Sequence, residues 1–210
     1  MGYTGFTKRI IETVIKTYDP KTVIDLGSQQ DYDQPNLPAP YISHWYENMG
    51  ISYSCIDLNG ENGSITLNLA EDFFLEGACD LHDIAPELVE NRVDLLVDAG
   101  TSEHVGWEEQ FSLAAIYNCW RNKHNLLKEG GIMVNENPKT GNWPGHGFNY
   151  YTKEFYRALE AATDYHVILL DEHPAMENRV DGWNVVCVMQ KKSERFPTLE
   201  EFQQLGIQQF

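Results

Sequence analysis

Two histidines and a few carboxylates stand in this chain where side-chain chemistry would need them. His104 lies in Asp98-Ala-Gly-Thr-Ser-Glu-His-Val, directly after an apolar run, and His146 lies in Gly145-His-Gly-Phe-Asn-Tyr-Tyr. An imidazole with an ordinary pKa of about 6.5 takes up a proton near neutral pH, so either residue is a candidate general base. Each also has a plainer reading, His104 as a residue of a first helical turn and His146 as part of a packed aromatic loop. Glu103 reads as a structural or ligand-contacting group rather than a base. Asp25 and Asp57 each close a short apolar run, Val23-Ile-Asp25-Leu-Gly27 and Cys55-Ile-Asp57-Leu58. A carboxylate at a strand end accepts charge-assisted hydrogen bonds from a ligand, or is simply solvated. Metal binding is not indicated. Asp98 ends a strand without a convincing second and third ligand, and Cys79 with His82 is one pair lacking a partner pair.

The elements that must hold these residues follow from the apolar periods. Phe6, Ile10, Ile11, Val14 and Ile15 predict an amphipathic helix over 4–17. A strand over 22–26 runs into Gly27, and Pro35, Pro38 and Pro40 then delay the next helix to 41–48, which makes 28–40 a lid or pocket wall. Strands are expected over 51–56, 65–69 and 93–97. Within 70–92 only a two-turn helix over 86–91 suggests itself. A helix over 107–127 carries Phe111, Ala114, Ala115, Asn118 and Leu126 on its inner stripe and ends in a glycine cap at Lys128-Glu-Gly-Gly. A fifth strand begins at 132–134, and a loop over 137–149 precedes a helix over 152–162 capped by Thr152. Runs at 166–170 and 185–189 form a closing antiparallel hairpin. Helices alternating with short apolar strands imply an α/β fold with a mostly parallel sheet covered on both faces. One domain over 1–192 and a surface tail over 193–210 are expected.

Composition narrows the function. A chain of 210 residues, 42% hydrophobic, builds one well-buried core. Its net charge of −17 would repel a phosphate backbone, so nucleic acid and anionic membrane are unsuited as partners. Cys55, Cys79, Cys119 and Cys187 are scattered without a C-x-x-C and read as buried free thiols. With no signal-peptide pattern and no segment long enough to span a bilayer, a cytoplasmic setting is expected.

The ordered set of segments resembles the class I S-adenosylmethionine-dependent methyltransferases. The resemblance rests on Val-Ile-Asp25-Leu-Gly27-Ser at the first strand, Cys-Ile-Asp57-Leu at the second, Asp94-Leu-Leu-Val-Asp98-Ala-Gly100-Thr-Ser-Glu103-His104-Val at the fourth, and Leu126-Leu-Lys-Glu-Gly130-Gly131-Ile before the fifth. It covers roughly residues 20–190. It implies a doubly wound, Rossmann-like, three-layer fold whose seven-stranded sheet ends in an antiparallel C-terminal hairpin. It further implies methyl transfer from S-adenosylmethionine to an oxygen or nitrogen of a small-molecule acceptor.

On that resemblance Asp25, Gly27, Ser28, Asp57, Leu58, Gly100, Thr101 and Glu103 would contact the cofactor, with Asp57 on the ribose hydroxyls. Asn68 with Leu69, in preference to Asp80 with Leu81, would meet the adenine. His104 and His146 are the expected catalytic residues, and Trp143, Phe148, Tyr150 and Tyr151 would wall the acceptor pocket. Three departures stand out. Gln29 and Asp31 occupy places where further glycines are common, so side chains must fit beside the cofactor; the proline-rich delay before the next helix leaves fewer helix N–H groups to face the methionine carboxylate; and the Asp/Asn-Pro-Pro-aromatic tetrapeptide of base-modifying members is missing. Two other functions fit the same residues: a cofactor-binding module that has lost catalysis and works through a partner, and a binder of another nucleotide such as a nicotinamide cofactor.

Overall fold

The computed structural model describes residues 2–31, 42–74, 92–106, 112–175 and 182–209. Thr22–Leu26 (β1) places Val23, Ile24, Asp25 and Leu26 in a row of buried side chains, which requires cover on both faces of the sheet. Around it lie Ser52–Asp57 (β2), Ile65–Thr66 (β3), Val93–Ala99 (β4), Leu127–Pro138 (β5), His166–Pro174 (β6) and Trp183–Gln190 (β7). The sheet order is β3-β2-β1-β4-β5-β7-β6. The first five strands are parallel, and β7 runs antiparallel to both β5 and β6. Between β1 and β4 the strand order reverses, and ligands of open α/β sheets bind beyond the carboxyl ends at such a point.

The two-residue period of the strands sorts the core into two layers. Val23, Leu95, Val97, Ile132 and Val134 face Ile11 and Val14 of the helix Gly5–Tyr18 (α1), whose Thr4 and Thr7 form a reciprocal cap. The short helix Ser43–Asn48 (α2) adds Tyr46 to this side. Ile24, Leu26, Leu96 and Met133 face the other layer. It is built from Leu113–Leu126 (α3), Lys153–Thr163 (α4) and Leu199–Gln203 (α5), which contribute Trp120, Phe155 and Phe202. Thr152 caps α4 through the Phe155 N–H, as its sequence predicts. No helix among the described residues is long and apolar enough to cross a membrane. Cys55, Cys119 and Cys187 are buried free thiols.

Several expectations change. The expected glycine cap of α3 is absent, because Leu127 goes straight into extended backbone and the buried Lys191 ammonium donates to the His124 and Leu127 carbonyls instead. Gly130, at φ +82°, serves a bulge where the β4–β5 register shifts, and its N–H bonds the Lys191 carbonyl. Ala114 is exposed, the inner stripe being Ala115, Ile116, Cys119 and Trp120. The 65–69 run is a strand only over Ile65–Thr66, although Leu67 and Leu69 are buried.

The segment expected as a surface tail also folds back onto the core. Phe202 is 1% exposed against Tyr117 and Phe155, and Gln208–Gln209 pairs with Asn149–Tyr150. Asp80, Leu81, Cys79, His82, Phe111, the 86–91 helix and most of the 28–40 loop lie outside the described residues.

Candidate active site

The carboxyl ends of β1 and β2 are joined by backbone before any ligand is considered. Gly27 turns the chain at φ +82° and its N–H donates to the Ile56 carbonyl at 2.7 Å, an approach that a left-handed residue without Cβ permits. The following N–H, on Ser28, donates to Asp57 Oδ2 at 2.8 Å, while Asn59 N–H reaches Oδ1 at 3.3 Å. Asp57 therefore stands half-buried at the rim, fixed by two N–H donors. A carboxylate has about four acceptor sites, so capacity remains for a ligand.

Gln29 occupies the place of a further glycine by folding back on its own turn. Its Nε2 donates to the Leu26 carbonyl at 2.8 Å and to Thr101 Oγ1 at 3.0 Å. Thr101 Oγ1 in turn donates to the Leu26 carbonyl at 2.6 Å. A Cβ on Gly27 would stand 2.6 Å from Thr101 Oγ1 and 2.7 Å from Gln29 Nε2, so glycine is required here for space as well as backbone. Gln29 Oε1 is buried and has no hydrogen-bond partner among the described residues.

Beyond this turn opens a cavity of about 320 Å³, a size suited to a cofactor. Gly27, Ser28, Asp57, Leu58, Asn68, Leu69, Gly100, Thr101 and His104 all line it, so nine residues singled out in the sequence meet at one place. Leu58 is 62% exposed, an apolar surface left open to a ligand. Asn68 is engaged in its own turn, where Oδ1 accepts from Ala70 N–H and Nδ2 donates to Glu71. Gln29 also lines the cavity, as do Ile56, Leu67, Ala70, Val105 and Gly106, which were not foreseen. For Gln29 the signal was present in its place within the glycine turn.

Asp25 is not among the lining residues. One residue inside the strand end, opposite Cys55 and Val97, it points to the α1 face and is fully buried. Tyr53 donates to its Oδ2 at 3.4 Å, and the Tyr3 hydroxyl also acts on this carboxyl. Burial pushes this carboxyl well above the ordinary carboxylate range. Gly27 and Ser28, rather than Asp25, face Asp57.

Asp98 is fully buried as well, on the other side of β1. It accepts the N–H groups of Thr101 and Ser102 at 3.1 Å and pairs with the buried Lys123 ammonium at 2.5 Å. Burial pushes its carboxyl up, but Lys123 and the Ser102 contacts outweigh this and hold it below the ordinary range. Lys123 also donates to Asn135 Oδ1 and lies 3.7 Å over the Trp120 ring.

The turn Ser102–His104 then presents Glu103 inward, 0% exposed, and His104 outward. Asn137 Nδ2 donates to Glu103 Oε2 at 3.4 Å, and Phe148 N–H donates to the Glu103 carbonyl at 2.7 Å, which fastens the loop bearing His146 onto this turn. Gly147 fits against Glu103 so closely that a Cβ would meet its Cγ at 2.9 Å. The His104 and His146 rings pack edge to face at 5.1 Å. Burial is the largest cause lowering the His104 imidazole below its ordinary value, which leaves it neutral at neutral pH.

The expected acceptor wall divides. Trp143 lies against His146 with ring centroids 5.0 Å apart, and its Nε1 donates to Asn184. Phe148 is partly buried beside it in the chain. Tyr150 and Tyr151 are buried and are not open polar handles. The Tyr150 hydroxyl receives the His146 and Gly147 N–H groups and donates to the Trp143 carbonyl, shaping the loop from within. Tyr151, packed on Trp120 and Tyr156, shares a 2.7 Å hydrogen bond with Ser102. Both hydroxyls are consumed by the backbone and core that carry the site.

No family model matches the sequence, and no curated protein matches it. Solved structures do resemble the fold. The 1,6-didemethyltoxoflavin-N1-methyltransferase of Burkholderia thailandensis, crystallised with S-adenosylhomocysteine, is 13% identical over 88% of this chain and 76% of its own, with a TM-score of 0.57. The N-methyltransferase NodS of Bradyrhizobium japonicum is 9% identical over 89% and 94%, with a TM-score of 0.54. The cyclase SpnF is 10% identical over 91% and 83%, with a TM-score of 0.56. One fold thus carries methyl transfer and a cyclisation, so the chemistry of a chain has to be argued from its site. The chain has the fold of the class I S-adenosylmethionine-dependent methyltransferases.

Proposed function

We propose that this chain transfers a methyl group from S-adenosylmethionine to an oxygen or nitrogen of a small-molecule acceptor. The observation that carries the proposal is the cavity at the switch point, which has a half-open carboxylate, Asp57, among its lining residues and a neutral imidazole, His104, as another. When bound, S-adenosylmethionine supplies an electrophilic methyl carbon on a sulfonium sulfur. The residues present fit this group. Asp57 has acceptor capacity for vicinal ribose hydroxyls, and Leu58 offers apolar surface for a base. The orphaned Gln29 Oε1 beside Gly27 is an acceptor for the ammonium of the methionine part.

Acceptor activation falls to the cluster of Glu103, His104 and His146. The proton of an acceptor hydroxyl or ammonium leaves through these imidazoles, with the buried Glu103 carboxylate beneath them. Trp143 and Phe148 form the flat apolar side of the acceptor position. A net charge of −17 suits a small molecule better than nucleic acid, and buried free thiols suit a reducing, cytoplasmic compartment.

Calorimetric titration with S-adenosylhomocysteine and with NAD tests the first half: binding of the former at micromolar concentration and not the latter is expected, and no binding at millimolar concentration would overturn the proposal. Methyl transfer from labelled cofactor across a panel of small phenols, hydroxy acids and amines tests the second half. H104A and H146A are each expected to lower turnover about 100-fold, and full turnover in both would remove the cluster from the reaction.

A further inference from the structure

We infer that Glu103, His104 and His146 form a binding site for a divalent first-row transition-metal ion at the acceptor end of the cavity. Glu103 Oε1 is fully buried, and among the described residues it has no hydrogen-bond partner and only two imidazoles as ion-pair neighbours. His104 Nε2 and His146 Nε2 each stand 3.7 Å from this oxygen, and the three donor atoms lie within 4.8 Å of one another. A buried carboxylate oxygen left unpaired is costly, and a bound cation would satisfy it.

The spacing suits one ion. Nitrogen and oxygen ligands sit about 2.0–2.2 Å from zinc, so two ligands of one ion are at most ~4.2 Å apart. Both nitrogen–oxygen separations already meet this limit, and a small rotation of one half-exposed ring brings the imidazoles together. The frame around the donors is built in advance. Asn137 holds the other oxygen of Glu103, and the Phe148 N–H clamps the His146 loop to the Glu103 carbonyl. Asn137 is itself fixed by the Tyr156 hydroxyl.

Donor type selects the ion. Two imidazoles and one carboxylate favour zinc, cobalt, iron(II) or manganese over magnesium or calcium, which prefer oxygen throughout. Three protein ligands leave coordination positions open for water or an acceptor oxygen. His104 also lines the cofactor cavity, so these positions stand at its mouth. The loaded imidazoles are ligands, and lowering an acceptor hydroxyl's pKa then belongs to the ion. Only this last role rests on the proposed methyl transfer, since the ion's binding does not.

The test titrates cobalt(II), zinc(II), manganese(II) and magnesium(II) into the chelator-stripped full chain, read by calorimetry and by cobalt absorption in the visible. One cobalt or zinc ion per chain is expected, with cobalt bands of a nitrogen- and oxygen-ligated site and magnesium bound at least tenfold more weakly. E103Q, H104A and H146A should each weaken zinc at least tenfold. Absence of zinc and cobalt binding at 1 mM, or binding undiminished in both H104A and H146A, overturns the inference. Should E103Q fail to fold, the two half-exposed histidine variants decide alone. S-adenosylhomocysteine titrated into the same stripped sample separates the outcomes, because its binding without metal removes only the ion and metal binding without it removes only the methyltransferase reading.

Discussion

Asp57 and Asp98 flank β1 on either side at the same edge of the sheet, and in the sequence both simply close an apolar run. The structure treats them oppositely. Asp98 is sealed under Ser102 and Tyr151, with Lys123 supplying the countercharge and two N–H groups supplying the remaining bonds. Among the described residues Asp57 is held by two N–H groups, and it opens on the cavity. The β4–β5 half of the edge spends its polar groups on holding the fold. The β1–β2 half leaves one carboxylate with acceptor capacity facing the cavity.

Substitution should separate the two halves sharply. The largest effect belongs to the sealed side: K123M strands the Asp98 carboxylate in the core and should cost about 3–5 kcal/mol in urea unfolding. Its counterpart D57N should change stability by less than about 0.5 kcal/mol. Similar losses from both would erase the contrast.

A second test lies at the opposite edge of the sheet, where α3 runs into β5. Burial, with Lys191 nearby, lowers the His124 imidazole to about 4, against about 6.5 unfolded. From pH 6.5 down to about 4 the unfolded chain therefore binds a proton that the folded chain refuses, and stability falls as pH falls through that window. The loss amounts to about 2–3 kcal/mol between pH 7 and 4.5. Urea midpoints of H124Q over the same range should lack this component of the slope.

The open side is sharpened by ligand affinity. D57A should weaken S-adenosylhomocysteine by about 1.5–3 kcal/mol in calorimetry, the worth of charge-assisted hydrogen bonds, while lowering the stability of the unliganded chain far less than K123M does. A smaller effect is expected of G27A. Its left-handed backbone and the 2.6 Å approach to Thr101 Oγ1 should together cost about 1–2 kcal/mol in stability, with weaker ligand binding in parallel.

The contrast also explains what the sequence made legible. Alternating periods and glycine turns marked the strands and the closing hairpin, because buried strands and tight turns leave local marks in the chain, while the family resemblance pointed to most of the nine residues that line the cavity. Asp25 could not be read this way: a shift of one position turns a strand-end carboxylate from the rim into the α1 face, and only the register shows it. Tyr150 and Tyr151 looked like open handles because nothing local reveals that Trp143 and Ser102 take up their hydroxyls. Lys191 replacing a glycine cap, and Phe202 returning to the core from an apparent tail, are likewise partnerships across the chain.

The crystal structure of the complex with S-adenosylhomocysteine tests the central claim most directly. It should show the ribose hydroxyls within hydrogen-bond distance of Asp57 and the sulfur turned toward His104. Density lying elsewhere, or a nucleoside that leaves Asp57 untouched, would contradict it.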